Sequence, residues 1–176
     1  KSFRENKGLG NEVGYYIFDY PAEKEIEVRE RIAYLKKKYS KNTGGFDLIV
    51  FDLYDLVIDL LEKEGFLEQC YSFEKNKGLE RVNKVIANFL LLGEEDNLIV
   101  NHIKNNSPQT DAVIFLTGVG KCYPFLRSHT VLNNLHQALD CIPVVMFYPG
   151  TYDGQELVLF SKIKDDNYYR AFRLVD

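Results

Sequence analysis

With 176 residues, 45% of them hydrophobic and 27% charged, the chain is long enough to enclose one core and too apolar to be disordered over most of its length. Its 22 basic and 26 acidic side chains leave a formal charge of -4, which disfavours direct nucleic-acid binding because phosphate neutralisation needs a positive field. No apolar run approaches the ~20 residues of a membrane span, and three cysteines without a CxxC pair fit a reducing compartment, so the expected location is the cytoplasm, away from membranes.

Residues 1–12, "KSFRENKGLGNE", are polar, lack the apolar core of a signal peptide and read as a flexible entry segment; the start at Lys rather than Met implies an upstream piece. "VGYYIFDY" (13–20) and "FDLIVFDL" (46–53) are short, continuous and apolar, as strands covered on both faces are. The helix predicted between them opens at Pro21, carries Glu23, Glu25 and Glu27 early and Lys36, Lys37 and Lys38 late, in the order the helix dipole favours. Val28, Ile32, Leu35 and Tyr39 form its apolar stripe, and "NTGG" (42–45) stops it.

Residues 54–105 lack strand patterns and read as a helical insertion of two or three helices, "LYDLVIDLLEKEG", "LERVNKVIANFLLLG" and "EEDNLIVNHIKNN". Two further buried strands, "DAVIFLTG" (111–118) and "IPVVMFYPG" (142–150), flank another helix. "ELVLF" (156–160) and "YYRAFRLV" (168–175) read as a closing antiparallel pair. Strands alternating with helices predict a single α/β domain over 1–176, with a mostly parallel central sheet, helices on both faces and a C-terminal antiparallel edge hairpin.

"AVIFLTGVGKC" (112–122) has the outline of a phosphate-binding turn, but a Walker A loop needs GxxxxGK followed by Ser or Thr. Phe115 stands where its first glycine should be and Cys122 where the magnesium-binding hydroxyl should be. The glycines are explained by a tight strand-to-helix turn, with Pro124 in the first turn of the helix that follows. The turn still lies at the carboxyl end of a parallel strand, where open α/β sheets place ligands, so Gly118, Gly120 and Lys121 are candidates for contact with an anion or a partner.

In "RSHTVLNNLHQALD" (127–140), Phe125, Leu132, Leu135 and Leu139 are spaced as a core stripe, and His129, Asn133, His136 and Asp140 fall on a neighbouring face. His129 and His136 stand about 10 Å apart along a helix, too far for one ion to take both unaided. Ser128 and His129, adjacent in sequence, do not share a helical face as a nucleophile and its base must. His102 reads as a surface residue, and Asp52, Asp55 and Asp59 as capping or solvated carboxylates rather than metal ligands. No catalytic residue, cofactor or metal is expected.

"GLGNEV" (8–13), "FDLYDL" (51–56), "FLTGVG" (115–120) with "YPFLRSHTVLNNL" (123–135), "VVMFYPGTYDG" (144–154) and "DDNYYRAF" (165–172), in that order, resemble the BrxB family of bacteriophage exclusion (BREX) systems. The resemblance implies a small component of an anti-phage defence system with no assigned catalytic activity. It would act by binding other BREX proteins, which include a DNA methyltransferase, a large ATPase and the alkaline-phosphatase-like PglZ, the last being the first candidate. Arg127, Ser128, His129, Asn133 and Asn134 match a family block and are nominated as a polar surface or network; residues 66–105 match least. The alternative from the residues alone is a nucleotide- or anion-dependent enzyme using the Gly118–Lys121 turn. A homodimer is compatible with the sequence, though no residue demands one. An exposed apolar patch rich in Tyr would mark a docking surface.

Overall fold

A computed structural model describes residues 14–39, 45–165 and 171–175. The entry segment 1–12, most of the helix stop at 42–45 and residues 168–170 of the last predicted strand lie outside the described residues. Strand β1 (Tyr15–Tyr20) leads through a 3-10 turn (Ala22–Lys24) into α1 (Glu25–Lys38), then β2 (Asp47–Asp52). Four helices follow, α2 (Leu53–Lys63), α3 (Leu67–Lys77), α4 (Leu79–Phe89) and α5 (Leu98–Asn105), before β3 (Ala112–Thr117). A single-turn helix α6 (Val119–Cys122), α7 (Ser128–Ala138), β4 (Val144–Tyr152), β5 (Leu157–Leu159), β6 (Ile163–Lys164) and β7 (Phe172–Arg173) complete the chain.

The sheet order is β2-β3-β4-β1-β7, with every neighbouring pair in this row parallel. Side chains alternate across it with the two-residue period of a strand. Val144, Met146 and Tyr148 enter a core with α2, α4, α5 and α7, while Val145 and Phe147 enter a second core with Ile32 of α1. Val28, Leu35 and Tyr39 line that second core, so the apolar stripe predicted for α1 is the one it buries. The doubly wound α/β architecture is as the sequence predicts.

Three details differ from the sequence reading. The C-terminal hairpin pairs Leu157–Leu159 with Ile163–Lys164, not with 168–175, and extends from the end of β4. Phe172–Arg173 instead runs parallel beside Tyr16 and Ile17 of β1. Asp19 fixes it there, accepting from Arg173 Nε at 3.0 Å and Nη2 at 3.1 Å in a bidentate fork and from the Tyr152 amide at 3.1 Å. The second difference is α3, whose sequence "LEQCYSFEKNK" has only a weak apolar stripe; it is held by packing, as between Phe66 and Phe89 with ring centroids 4.8 Å apart, and is ended by Gly78 at φ +78°. Third, Pro124 does not open a helix but separates α6 from α7.

Candidate functional site

The connection from β1 leaves through α1 on one face, and that from β3 leaves through α6 and α7 on the other. A crevice opens between the carboxyl ends of these strands, the place where open α/β sheets put ligands. It measures about 210 Å³ and is walled by Tyr20, Glu25 and Arg29 on one side and Gly118 to Lys121 on the other, under Pro149 and Phe160.

The corner after β3 is closed by the chain's own carboxylate. Gly118 adopts φ +76°, and a Cβ placed on it would lie 2.3 Å from Asp52 Oδ1, so both backbone conformation and space require glycine. Asp52 caps α2, its Oδ1 accepting from the Tyr54 amide at 3.0 Å and the Asp55 amide at 3.2 Å. Its Oδ2 accepts from Lys121 Nζ at 2.7 Å, and Asp55 Oδ1 lies 3.5 Å from the same nitrogen. Burial works against the Lys121 ammonium, but the hydrogen bond and charge of Asp52, aided by Asp55, outweigh it and raise the pKa above its ordinary value. The lysine is therefore charged at neutral pH and already held by two carboxylates.

Gly120 has an equally local reason. A Cβ there would meet the Phe160 ring at 2.8 Å and Pro149 at 3.1 Å. Phe160 itself sits at φ +52° and Ser161 at φ +55°, in the tight turn of the β5–β6 hairpin. On the opposite wall, Arg29 Nε donates to Glu25 Oε1 at 2.7 Å and the Tyr20 hydroxyl donates to Glu25 Oε2. Each cation of the crevice thus has a carboxylate beside it.

Cys122, at the position of a P-loop hydroxyl, is fully buried, and burial followed by the charge of Asp52 pushes its thiol up to about 12. Such a thiol stays protonated at neutral pH and is a poor nucleophile. Cys70 is buried too, and Cys141 is exposed. A thiol-reactive chromophore should consequently label one cysteine per native chain within minutes and all three in denaturant; rapid labelling of Cys122 in the native state would contradict this placement.

Arg127, Ser128 and His129 gather at the start of α7 around a carboxylate that sequence reading did not single out. Asp165 Oδ2 accepts from Ser128 Oγ at 2.7 Å, and its Oδ1 lies 3.0 Å from His129 Nδ1 and 3.3 Å from Arg127 Nη1. Because a carboxylate only accepts, the network assigns the proton to His129 Nδ1. Ser128 and His129 therefore share Asp165 rather than bonding to each other, which is not the geometry of an activated nucleophile. Tyr148 is fully buried beside this cluster, where burial and then the charge of Asp165 raise the pKa of its hydroxyl.

His136 packs on the Tyr15 ring at 4.7 Å and takes no part in this network. Asn134 donates to the Glu94 carbonyl at 3.2 Å, and Asn133 is half-buried with no side-chain hydrogen bond among the described residues. The predicted residues thus separate into the Gly118–Lys121 corner, the Asp165 cluster and a contact from α7 to the loop before α5. Asp165 opens the "DDNYYRAF" block, which was the only signal in the sequence that could have found it. Among the described residues no group of three or more His, Cys, Asp or Glu could hold a metal ion. His102 is half-buried rather than on the surface, edge-on to Phe51 with ring centroids 6.2 Å apart. Its pKa is lowered by burial and by Lys63.

A second concavity, an apolar groove of about 300 Å³, lies between α2, α3, α4 and residues 121–125. Val57, Leu61, Cys70, Val82 and Ile86 form its floor. Its rim carries Tyr54, Tyr71, Leu79 and Tyr123, of which Tyr71 is 57% and Leu79 58% exposed. Tyr and Leu side chains thus stand exposed at the rim of an apolar hollow.

Fold and site together define a doubly wound α/β protein with an internal ion pair at the corner after β3 and an open apolar groove between its helices. The family model for "BREX protein BrxB" matches residues 49–174. A BREX protein BrxB of Bacillus cereus (strain H3081.97) is 50% identical over 175 residues, covering 99% of this chain and 90% of the relative. Another, from Escherichia coli O9:H4 (strain HS), is 38% identical over 173 residues, covering 98% and 84%. The chain belongs to the BrxB family. No solved structure matches it significantly. No helix among the described residues is long and apolar enough to cross a membrane.

Proposed function

We propose that this chain is a non-catalytic, cytoplasmic component of a BREX anti-phage system and works by docking onto other BREX proteins, PglZ being the first candidate. Membership of the BrxB family supports the setting. The observation that carries the docking role is the groove rimmed by Tyr54, Tyr71, Leu79 and Tyr123, because rigid aromatic side chains at the edge of an apolar hollow are the usual anchors of protein interfaces. The corner that would serve a nucleotide enzyme is filled by Asp52 and Lys121, which favours docking over catalysis.

Tagged chain should retain PglZ or another BREX protein on co-purification, and Tyr71→Ala with Leu79→Asp should weaken that binding at least tenfold, the scale of one or two interface anchors. Absence of binding to every BREX component, with phage resistance intact after deletion of the gene, would overturn the proposal. The second reading is a nucleotide- or anion-dependent enzyme using the Gly118–Lys121 turn, favoured only by the position of that turn on the crevice. A duplex-DNA partner is disfavoured by the formal charge of -4.

A further inference from the structure

The walls of the apolar groove restrict what can lie in it. Every lining residue belongs to α2, α3, α4 or the stretch 121–125, and none lies on a strand. The groove therefore offers no row of main-chain groups for an extended segment to pair with. Along α2 the lining positions are Tyr54, Val57, Ile58 and Leu61. Along α4 they are Leu79, Val82, Asn83 and Ile86. Each set recurs every three or four residues over two helical turns, about 10 Å. Hollows at that period take side chains from one face of a further helix, at i, i+3 or i+4 and i+7. Polyproline segments instead dock in grooves lined by aromatic rings, whereas this floor of Val57, Leu61, Val82 and Ile86 is aliphatic and buried.

Charge narrows the occupant further. Two charged side chains line the groove, Glu74 on α3 and Lys121. Glu74 is exposed and its carboxylate has no side-chain partner among the described residues. Lys121, 5.3 Å from the centre of the Tyr54 ring, is held by both Asp52 and Asp55, so the α2 wall carries two carboxylates against one ammonium. The flanking charges offset one another. Glu62 of α2 and Glu68 of α3 stand against Lys75 and Lys77 of α3, Glu80 holds Lys84 at 3.0 Å, and Arg81 falls on the opposite face of α4. Arg127, 5.6 Å from the centre of the Tyr123 ring, is held by Asp165. The groove is thus left negative on two walls, at Glu74 and at Asp55.

We propose that the groove receives an amphipathic helix of the partner protein, with an apolar face turned inward and lysine or arginine flanking that face, one of them meeting Glu74. The inference rests on the groove being the docking surface and adds the form and charge of what docks there.

Crosslinking in the complex with the co-purifying BREX protein tests it. Lys75→benzoylphenylalanine, on an exposed side chain beside the groove, should on irradiation capture one segment of that protein, identified by mass spectrometry. The segment should carry apolar residues at i, i+3 or i+4 and i+7 with a lysine or arginine beside them. Glu74→Lys, which circular dichroism should show to be folded, should weaken binding about tenfold, and changing the facing basic residue of the partner to glutamate should restore it. Capture of an alternating, proline-rich or acidic segment, or of a second copy of this chain, would overturn the helix. Unchanged binding in Glu74→Lys would do so too, even where Tyr71→Ala with Leu79→Asp weakens it and the docking surface stands. Should that pair of changes have no effect, or no BREX protein be retained, the docking reading itself fails and this inference with it.

Discussion

Gly118→Ala should destabilise the chain by about 2–3 kcal/mol, the sum of roughly 1–2 for an alanine held in the left-handed region and about 1 for a lost helix cap. The methyl group would sit 2.3 Å from Asp52 Oδ1, so the carboxylate has to leave. With it go both amide contacts at the start of α2 and the partner of Lys121. Gly65→Ala is the matched control, because Gly65 also has positive φ, +69°, but nothing lies within 4 Å of the added atom. It should cost about 1 kcal/mol, from conformation alone. In the Asp52→Ala background the clash is gone, so Gly118→Ala should then cost about what Gly65→Ala does, a coupling readable from urea midpoints. Equal effects for Gly65→Ala and Gly118→Ala in the natural background would mean that Asp52 does not occupy the corner.

Asp165→Ala should be nearly as damaging, at about 2–3 kcal/mol, because it removes a largely buried carboxylate that three donors share. Part of the loss is electrostatic, since Asp165 sits beside the first turn of α7, where negative charge is favoured. Ser128 would keep a buried hydroxyl without its acceptor. Asp165→Asn should recover about half, as its amide oxygen still accepts from Ser128 and the shape is kept. Arg127→Ala, on a side chain 45% exposed, should cost under about 1 kcal/mol. A loss below 1 kcal/mol for Asp165→Ala, measured by urea unfolding, would show that the cluster does not hold the hairpin against α7.

The parts of this fold legible in the sequence are those set by local pattern. β3 and β4 announce themselves as unbroken apolar runs because both of their faces are covered. α1 shows its polarity in two first-turn glutamates and three late lysines. What depends on distant residues was not legible. The partner of Leu157–Leu159 is chosen by the end of β4 and the tight turn at Phe160, so the apolar content of 168–175 misleads. α3 is fixed by packing that its weak apolar stripe cannot signal. At the site, Gly118, Gly120 and Lys121 were found as a place, but the groups that explain them, Asp52 and Phe160, come from 69 residues before Lys121 and from the hairpin after β4. Ser128 and His129 were found on one helix, whereas the Asp165 they share lies 37 and 36 residues further on.

The ion pair at the corner decides between docking and nucleotide chemistry most directly, and calorimetric titration of the chain with magnesium-ATP measures it. No saturable heat is expected at millimolar nucleotide, with Lys121→Ala indistinguishable from the natural chain. Saturable micromolar binding that Lys121→Ala abolishes would mean that Lys121 exchanges Asp52 for a phosphate, and would contradict the account.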